Sequence, residues 1–411
     1  MVYKWRQGKV RDMIQLNDDV LAMVQSNRQS AFDRHICNIP SKGHILTETA
    51  AWWFKKIMDM SLCETHYLAH QDNVMFVTPC KPIAVEVIVR GYITGNTPTS
   101  MWVNYQNGVR DYCGIRLKDS YIKNQKLDEP VITPTTKGEK DELISPKDII
   151  ERNYVTSLEW ELIEKTAMML YKYGVMEAEK KGLILVDTKY EFGYAPNGHI
   201  MLMDEVHTCD SSRYWIKDKY AECFNAGIEP EKYDKDIVRY WIKENIKDNT
   251  EFDFKIPQSL IESTSSSYVQ FYERLTEQKP RFNDMIDINK FDETIWDNPE
   301  QQVREMAAHL FPTCVVISGS KSDNEHCKKL VDSIGGHINC LHYVCSAHKN
   351  TRKLLRILKR FNRTKGVVYV TVAGMCNALS GVVACNVSGP VIACPPFKDK
   401  TDMMININSS L

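Results

Sequence analysis

The stretch Leu185-Val-Asp-Thr-Lys-Tyr-Glu-Phe-Gly193 decides the fold and the chemistry of the longer part of this 411-residue chain. Side chains alternate between the two faces of a strand, so the stretch predicts a β-strand with Asp187, Lys189 and Glu191 on one face. Val186, Thr188, Tyr190 and Phe192 then occupy the other face.

The residues that follow predict a hairpin. Asn197-Gly198 is typical of a two-residue turn, and residues 200–206 are expected to form the returning strand. This register places Glu191 opposite Asp204, where two carboxylates repel each other unless a cation or a proton lies between them. A divalent ion with carboxylate ligands, typically Mg²⁺ that bridges to nucleotide phosphates, is one solution. A solvated charged face with the register shifted by one residue is the other.

The pattern on either side of this strand predicts two domains of different class. Residues 1–279 mix short alternating strands with helices, one of them from Ser145 to about residue 181, and are expected to be α+β. Residues 280–311 are polar and irregular, and are interpreted as a linker. Residues 312–411 repeat an apolar strand, a small polar loop and a helix three times, which predicts a parallel three-layer α/β domain.

Composition excludes several classes of protein. With 43% hydrophobic and 26% charged residues and a net charge of −1, the chain is expected to be folded and not to bind nucleic acid. Residues 312–411 are nevertheless basic, with 13 Lys and Arg against 5 Asp and Glu. No stretch is long and apolar enough for a membrane span. Thirteen cysteines without a Cys-x-x-Cys pair predict reduced thiols in the cytoplasm.

Three further features are compatible with anion binding. Gly8-Lys9 offers an amide and an ammonium, although this pair alone is a weak signal. Arg90 follows an apolar run, where a guanidinium can fork onto a carboxylate or phosphate or form an ordinary surface salt bridge. Asp210-Ser-Ser-Arg213 offers hydroxyls and a guanidinium, although Asp-Ser is more often a helix cap.

Five segments together resemble the SAICAR synthetase (phosphoribosylaminoimidazole-succinocarboxamide synthase) family. They are Ile39-Pro-Ser-Lys-Gly43, Val87-Ile-Val-Arg-Gly-Tyr-Ile-Thr-Gly95, Lys126-Leu with Thr133-Pro-Thr-Thr-Lys137, the Leu185–Gly193 stretch, and Asp204-Glu-Val with Asp210-Ser-Ser-Arg-Tyr-Trp215. The resemblance covers about residues 5–278 and implies a two-lobed ATP-binding fold. It implies a ligase that joins L-aspartate to carboxyaminoimidazole ribonucleotide while ATP is cleaved to ADP and phosphate.

The resemblance also implies a role for each matching position. Lys9 and Lys189 would contact ATP, Glu191 and Asp204 would hold Mg²⁺, and Lys189 would lie at the reacting groups. The positions that would hold the imidazole ribonucleotide and aspartate are Arg90, Asn96, Lys137, Asp141, Asp210, Ser211 and Arg213. Asn96 stands where many members of the family have serine, which replaces a hydroxyl contact by an amide.

Three loops in the last hundred residues end predicted strands. They are Gly319-Ser-Lys-Ser-Asp323, Ser346-Ala-His-Lys349 and Ala373-Gly-Met-Cys-Asn377. Because the carboxyl ends of parallel strands meet at one edge of a sheet, these loops are expected to meet there and to bind a ligand. Three ordinary strand-to-helix turns are the alternative.

These loops resemble the animal-type AIR carboxylase family, which carboxylates aminoimidazole ribonucleotide with CO₂ and without ATP. By that resemblance Ser320, Asp323, Ser346, Cys376 and Asn377 would bind substrate, and His348 and Lys349 would work at the imidazole carbon and CO₂. The Met375-Cys376 pair departs from the family pattern. The last domain, which stops at Leu411, is also expected to be shorter than a complete domain of this family. Homo-oligomers are expected to form through this domain.

The leading hypothesis is therefore a bifunctional enzyme of purine biosynthesis that makes two successive intermediates. The nearest alternative is a monofunctional SAICAR synthetase with a non-catalytic module for binding or assembly. Two further alternatives are an ATP-dependent kinase that uses Lys189, Glu191 and Asp204, and a scaffold without ATP turnover. Product analysis with each ribonucleotide separates the first two hypotheses. The kinase predicts ATP turnover without aspartate, and the scaffold predicts no ATP turnover.

Overall fold

The computed structural model describes residues 5–8, 10–31, 34–138, 141–233, 238, 241–242, 245, 255–281, 299–334, 336–361, 364–374, 378–397 and 401. The chain forms two compact units. Residues 25–285 make up one, here called the central unit, and residues 1–24 with residues 286–411 make up the other, called the terminal unit. The domain boundaries expected from the sequence stay predictions.

The strands are numbered in chain order. They are β1 (Trp5–Gln7), β2 (Arg11–Gln15), β3 (Leu21–Gln25), β4 (Arg28–Ala31), β5 (Arg34–Asn38), β6 (Tyr67–Gln71), β7 (Val74–Val77), β8 (Lys81–Ile93), β9 (Asp111–Tyr112), β10 (Ile115–Arg116), β11 (Gln125–Ile132), β12 (Thr135–Thr136), β13 (Leu183–Tyr194), β14 (Ile200–Met203), β15 (Ser212–Ile216), β16 (Lys232–Tyr233), β17 (Thr313–Ser318), β18 (Asn339–Val344), β19 (Val367–Val372) and β20 (Val391–Ala393).

The helices are numbered in the same way. They are α1 (Lys42–Asp59), α2 (Met101–Gln106), α3 (Pro146–Glu151), α4 (Ser157–Lys180), α5 (Lys217–Asn225), α6 (Gln258–Thr276), α7 (Pro299–Ala308), α8 (Asn324–Ile334), α9 (Thr351–Phe361) and α10 (Ala378–Ala384), with a short 3₁₀ turn at Lys321–Asp323. None of the helices in the described part of the chain is long and apolar enough to cross a membrane.

An antiparallel sheet forms the framework of the central unit. Its strands lie in the order β11-β8-β13-β15-β16, with β12 paired to β8 and β14 paired to β13. The predicted strand is β13, and its two neighbours β8 and β15 are the strands that carry Arg90 and Arg213. The sheet therefore brings together segments that are about 100 residues apart in sequence.

Helix α4 packs against β8 and β13, and one side chain fixes the local geometry. The hydroxyl of Tyr171 on α4 donates to the carbonyl oxygen of Leu185 at 2.9 Å, beside a bulge in the pairing of β13 with β15. A Cβ on Gly91 would lie 2.2 Å from that hydroxyl, so only glycine allows the helix to approach so closely. Beyond the bulge, Asp187, Lys189 and Glu191 share one face as predicted.

The prediction of one helix from Ser145 to about residue 181 is wrong in its first part, because the structure has two helices there. Ser145 caps α3, and its hydroxyl accepts from the backbone amide of Asp148. Thr156 and Glu159 then form a reciprocal capping box that begins α4. Capping groups placed eleven residues apart favour two helix starts.

The terminal unit contains a parallel sheet with the order β18-β17-β19-β20. Its strands and helices follow the predicted repeat, and the apolar side chains of β17 are buried on both faces. The α/β class predicted for residues 312–411 is confirmed. The interpretation of residues 280–311 as irregular is wrong at its C-terminal end, where Pro299 begins helix α7 and amphipathic spacing buries Val303 and Ala307.

Candidate active site

A buried carboxylate between two arginines forms one half of the site. Arg90 on β8 lies directly opposite Asp187 on β13, with Nη1 3.0 Å from Oδ2. Arg213 on β15 places Nε 3.2 Å from the other oxygen of Asp187. Arg90 and Asp187 are each 5% exposed, whereas the side chain of Arg213 is 39% exposed. Because one carboxylate offsets only one of two guanidinium charges, this half of the site attracts anions.

Asp187 is a site residue that sequence reasoning did not select. The alternation placed it on the same face as Lys189 and Glu191, and that shared face was the available signal. Its role in orienting Arg90 and Arg213 depends on two strands that are remote in sequence. Thr133 adds a further constraint, because its hydroxyl accepts from Nε of Arg90 at 2.8 Å.

Two lysines and two glutamates form the other half. Lys189 Nζ donates to Glu191 Oε1 at 2.6 Å and to Glu86 Oε1 at 2.8 Å. Lys137 Nζ pairs with the second oxygen of Glu191. The residue that faces Glu191 across the ladder is Glu86 on β8, so two carboxylates do lie opposite each other. Lys189 is the cation that lies between them, as the electrostatic argument requires. The opposing carboxylate is Glu86 and not Asp204, and the cation is an ammonium group and not a divalent ion.

The predicted pairing of Glu191 with Asp204 is wrong by one residue. Glu191 pairs with Met203, and Asp204 lies just beyond β14 with φ +70°. Pro196 explains the shift, because its fixed φ suits the second position of a turn that runs from Ala195 to Gly198. Gly198 N donates to the carbonyl of Ala195 at 2.9 Å, so the loop is longer than the two-residue turn that was expected.

Both charged groups at the centre keep their charge at neutral pH. Burial alone would raise the pKa of Glu191, but attraction to Lys189 and Lys137 and their hydrogen bonds outweigh it and lower the pKa to about 2. Burial alone would lower the pKa of Lys189, but Glu191 and Glu86 outweigh it and raise the pKa. The cluster therefore presents a fixed ammonium next to a fixed carboxylate.

The donor set fits a magnesium ion that is shared with a phosphate. Glu191 and Asp204 would supply hard oxygen ligands, and Mg²⁺ is commonly held by one or two carboxylates together with substrate phosphates. In the part of the chain that the structure describes, no group of three or more acidic, histidine or cysteine side chains is arranged to hold a metal alone. The side chain of Lys137 is 43% exposed, so it has room to move away from Glu191.

Loops above the strands complete the rim. Gly95 has φ +107°, and a Cβ there would lie 2.5 Å from Cβ of Ser100 and 3.1 Å from Nη1 of Arg213. Glycine is thus required for the loop after β8 to approach Arg213. Asn96 follows it and is exposed, as is Asp141 on the loop after β12.

The segment with Asp210 and Ser211 is tied to the same site. Lys189 N donates to the carbonyl oxygen of Ser211 at 2.9 Å. Asp210 Oδ1 accepts from the hydroxyl of Tyr268 on α6 at 2.5 Å, and Oδ2 lies 3.1 Å from Nζ of Lys42. Lys42 is only 2% exposed. Sequence reasoning gave Lys42 and Tyr268 no role, although Lys42 lies within a quoted family segment.

The predicted loops of the terminal unit also come together. Cys345 N donates to the carbonyl of Ser318 at 2.7 Å, and Gly319 N donates to the carbonyl of Val372 at 2.9 Å, so the ends of β17, β18 and β19 are adjacent. The hydroxyl of Ser320 accepts from Ser322 N at 3.3 Å. Asp323 follows in the 3₁₀ turn, and Ser346 Oγ accepts from Lys349 N at 3.2 Å.

His348 and Lys349 are exposed on the loop after β18. The arrangement presents two basic side chains and the hydroxyls of Ser320 and Ser346 along one edge of a parallel sheet, where small anionic ligands bind in such folds. Three predicted site residues, Lys9, Cys376 and Asn377, lie outside the described residues.

Comparison with known proteins gives two matches along the chain. The SAICAR synthetase family model matches residues 4–254, and the AIR carboxylase model matches residues 313–411. A phosphoribosylaminoimidazole-succinocarboxamide synthase of Legionella pneumophila (strain Lens) is 46% identical over 273 residues, which are 66% of this chain and 86% of the relative. The chloroplastic enzyme of the same name from Arabidopsis thaliana is 40% identical over 307 residues, which are 74% of this chain and 72% of the relative.

A solved structure is similar as well. The SAICAR synthase of Saccharomyces cerevisiae in complex with SAICAR has a TM-score of 0.58 and 31% identity, and the match covers 67% of this chain and 96% of that one.

Proposed function

Because the chain belongs to the SAICAR synthetase family and carries a C-terminal AIR carboxylase domain, we propose specific roles for its site residues in two successive reactions. The chain is an ATP-dependent ligase of purine biosynthesis. The proposal concerns which side chains hold each substrate and whether the second domain is active. The observation that carries it is the Lys189–Glu191–Glu86 cluster beside the Arg90–Asp187–Arg213 group.

The arginine half of the site binds the imidazole ribonucleotide. This ribonucleotide carries a carboxylate and a phosphate, and the half-exposed guanidinium of Arg213, which is held by Asp187, can bind either group. Arg213 makes the direct contact, and Arg90 with Asp187 fixes its orientation. Ser211 and Asp210 follow on the same segment and contact the ribose or the imidazole. Asn96, Lys137 and Asp141 contribute from the rim.

The lysine half binds the nucleotide phosphates. Lys189 keeps its ammonium at the reacting groups because Glu191 and Glu86 hold it. Glu191 and Asp204 hold Mg²⁺, which supplies charge neutralisation for the phosphate groups when it is bound. Lys9 contributes a further phosphate contact from the N-terminal segment.

These positions suit chemistry in which orientation and charge supply most of the rate. A carboxylate does not accept an amine directly, so an oxygen of the ribonucleotide carboxylate attacks the γ-phosphorus of ATP and ADP leaves. The amine of aspartate then attacks the acyl carbon, phosphate leaves, and the amine loses a proton to solvent. Lys189 and Lys137 offset the negative charge that is transferred with the phosphoryl group.

The terminal unit carries out the preceding carboxylation. A new bond forms between the imidazole carbon of aminoimidazole ribonucleotide and CO₂, and that carbon loses a proton. Ser320, Asp323, Ser346, Cys376 and Asn377 bind the ribonucleotide, and His348 and Lys349 act at the carbon and at CO₂. The clustering of three loop segments at the carboxyl edge of the sheet supports this assignment.

The compartment and the assembly are part of the same proposal. The twelve cysteines that the structure describes are all free thiols, which supports a reducing compartment such as the cytoplasm. The near-zero net charge supports small-molecule substrates over nucleic acid. Homo-oligomers form through the C-terminal domain, residues 312–411.

Product analysis by the intact chain tests both activities. Purified protein receives Mg²⁺-ATP and aspartate with either carboxyaminoimidazole ribonucleotide or its precursor and bicarbonate, and products are identified by mass spectrometry. The expected result is SAICAR from both. Lys189→Met abolishes both routes to SAICAR, whereas His348→Ala abolishes only the route from the precursor. A reaction without enzyme corrects for spontaneous carboxylation, and Lys359→Ala, an exposed change on α9, is the control variant. SAICAR from the carboxylated substrate alone would refute the second activity.

A further inference from the structure

Residues 204–211, here called the connecting segment, join β14 to β15 in the central unit. Asp210 and Ser211 at its end are assigned to the ribonucleotide. Asp204, with φ +70°, and His207, with φ +52°, both adopt the left-handed backbone conformation. This conformation is uncommon for residues other than glycine and costs free energy. Contacts with the surrounding elements must therefore hold the connecting segment in shape.

The side chain of His207 is fully buried in the central unit. Its ring meets the ring of Trp53 on α1 edge to face, with centroids 4.6 Å apart and planes at 88°. A Cβ at Gly174 on α4 would lie 2.5 Å from Cε1 of His207, so glycine makes room for the ring. Two helices therefore shape a pocket for one residue of the connecting segment.

One polar contact orients the ring within this pocket. The hydroxyl of Tyr190 on β13 is hydrogen-bonded to Nε2 of His207 at 2.5 Å, and Tyr190 is fully buried as well. Among the residues that the structure describes, none offers Nδ1 of His207 a hydrogen-bond partner. Burial lowers the pKa of His207 to about 3, so the ring is neutral near pH 7. Because an unpaired polar group is costly in a buried site, the bond to Tyr190 favours a single orientation of the ring.

Hydrogen bonds connect His207 to the end of the connecting segment. The carbonyl oxygen of His207 accepts from the hydroxyl of Tyr214 on β15 at 2.8 Å. The next residue, Thr208, is also fully buried. Its Oγ1 accepts from the backbone amide of Asp210 at 3.3 Å and from that of Ser211 at 3.2 Å. A displacement of His207 therefore passes through Thr208 to the two residues assigned to the ribonucleotide.

We infer that His207 is a positioning residue for the ribonucleotide, held by Tyr190 and acting through the end of the connecting segment. The inference rests on the proposed function, because Asp210 and Ser211 are assigned to the ribonucleotide there. It gives a role to the inward face of β13, which is the face that carries Tyr190. The strand then presents Lys189 to the substrates on one face and supports the connecting segment from the other.

The test compares the full-length chain with Tyr190→Phe, which removes one hydroxyl and keeps the ring. We expect KM for carboxyaminoimidazole ribonucleotide to rise about fivefold, the equivalent of one neutral hydrogen bond, with kcat unchanged. Calorimetric titration with SAICAR measures the same loss without turnover. Affinity for Mg²⁺-ADP is expected to change much less, because Lys189 and Glu191 lie on β13 itself. A merely structural defect would instead lower the active fraction, and hence the apparent kcat, and leave KM for the ribonucleotide unaltered.

Two further variants sharpen the test. Tyr67→Phe is the matched control, because the hydroxyl of Tyr67 also bonds to a histidine, at 2.8 Å from Nδ1 of His70, but within the single strand β6. We expect this variant to lower Tm and to keep the wild-type KM for the ribonucleotide. Gly174→Ala places a Cβ against the ring of His207 and removes no polar group, so it is expected to raise the same KM. It also serves if Tyr190→Phe does not fold.

Wild-type KM for the ribonucleotide and wild-type affinity for SAICAR in folded Tyr190→Phe or Gly174→Ala would overturn the inference. An equal rise of KM in Tyr67→Phe would overturn it as well, because a general loosening of the central unit would then explain the effect. Failure of the proposed function gives a different result, since the wild-type protein itself would then make no SAICAR.

Discussion

Replacement of Asp187 by asparagine tests whether one buried carboxylate organises the ribonucleotide half of the site. The substitution keeps the shape of the side chain but removes its charge, and Arg90, which is 5% exposed, then loses its charged partner. Loss of one partner of a buried pair costs about 3–5 kcal/mol. The hydrogen bond from Arg90 to Thr133 remains, and the amide oxygen of the new asparagine still accepts from Arg90. We therefore expect a smaller loss of stability, about 2–3 kcal/mol.

Two assays measure this effect. For a unit of this size, each kcal/mol lowers Tm by about 2–4 °C, so calorimetry of the intact chain is expected to show the transition of the central unit shifted down by about 5–10 °C. At a temperature where the variant is folded, KM for the ribonucleotide rises about tenfold or more, because Arg213 loses the contact at 3.2 Å that orients it. KM for ATP changes little.

Asp128→Asn is the matched control. Asp128 also pairs with a cation, Lys118, but both side chains are more than 60% exposed, so this change is expected to leave Tm unchanged. An unchanged Tm together with an unchanged KM for the ribonucleotide in Asp187→Asn would refute the role assigned to the buried carboxylate.

Three further predictions follow from the same contacts. The pKa of Glu191 is lowered to about 2, so this carboxylate contributes its full stabilisation above its unfolded pKa of about 4.5 and loses it as the pH falls toward 2. Glu191→Gln is expected to flatten that part of an acid-unfolding curve. An acid limb identical to that of the wild type would contradict this. Gly95→Ala introduces a Cβ 2.5 Å from Cβ of Ser100 at φ +107°, and is expected to lower stability by about 1–3 kcal/mol and to raise KM for the ribonucleotide. Gly108 has φ +90° but open space around it, so Gly108→Ala is expected to lower stability, measured by thermal denaturation, and to leave KM unchanged. Tyr268→Phe removes the bond to Asp210 and is expected to raise KM for the ribonucleotide by about three- to tenfold in steady-state kinetics; equal KM values in the two proteins would show that Asp210 does not need this bond.

Local patterns were enough for the parts of the fold in which neighbours in sequence are also neighbours in space. The alternation in β13 predicted its charged face, and the repeated strand-loop-helix pattern predicted a parallel sheet whose loops meet at one edge. Both follow from the periodicity of a strand and from the polarity of parallel strands, which the sequence alone fixes.

Long-range pairing was decided only by the tertiary structure. The sequence predicted a carboxylate opposite Glu191, with a cation between the two as one solution. The opposing carboxylate is Glu86, which lies about a hundred residues earlier, because β8 pairs with β13. One proline in the hairpin moved Asp204 out of register, and no periodicity reveals that Lys42 meets Asp210 or that Arg304 reaches the turn after β2. Such contacts depend on how strands and helices from distant segments pack together, and the hydrophobic burial that drives this packing leaves no local signal at the polar residues it brings together.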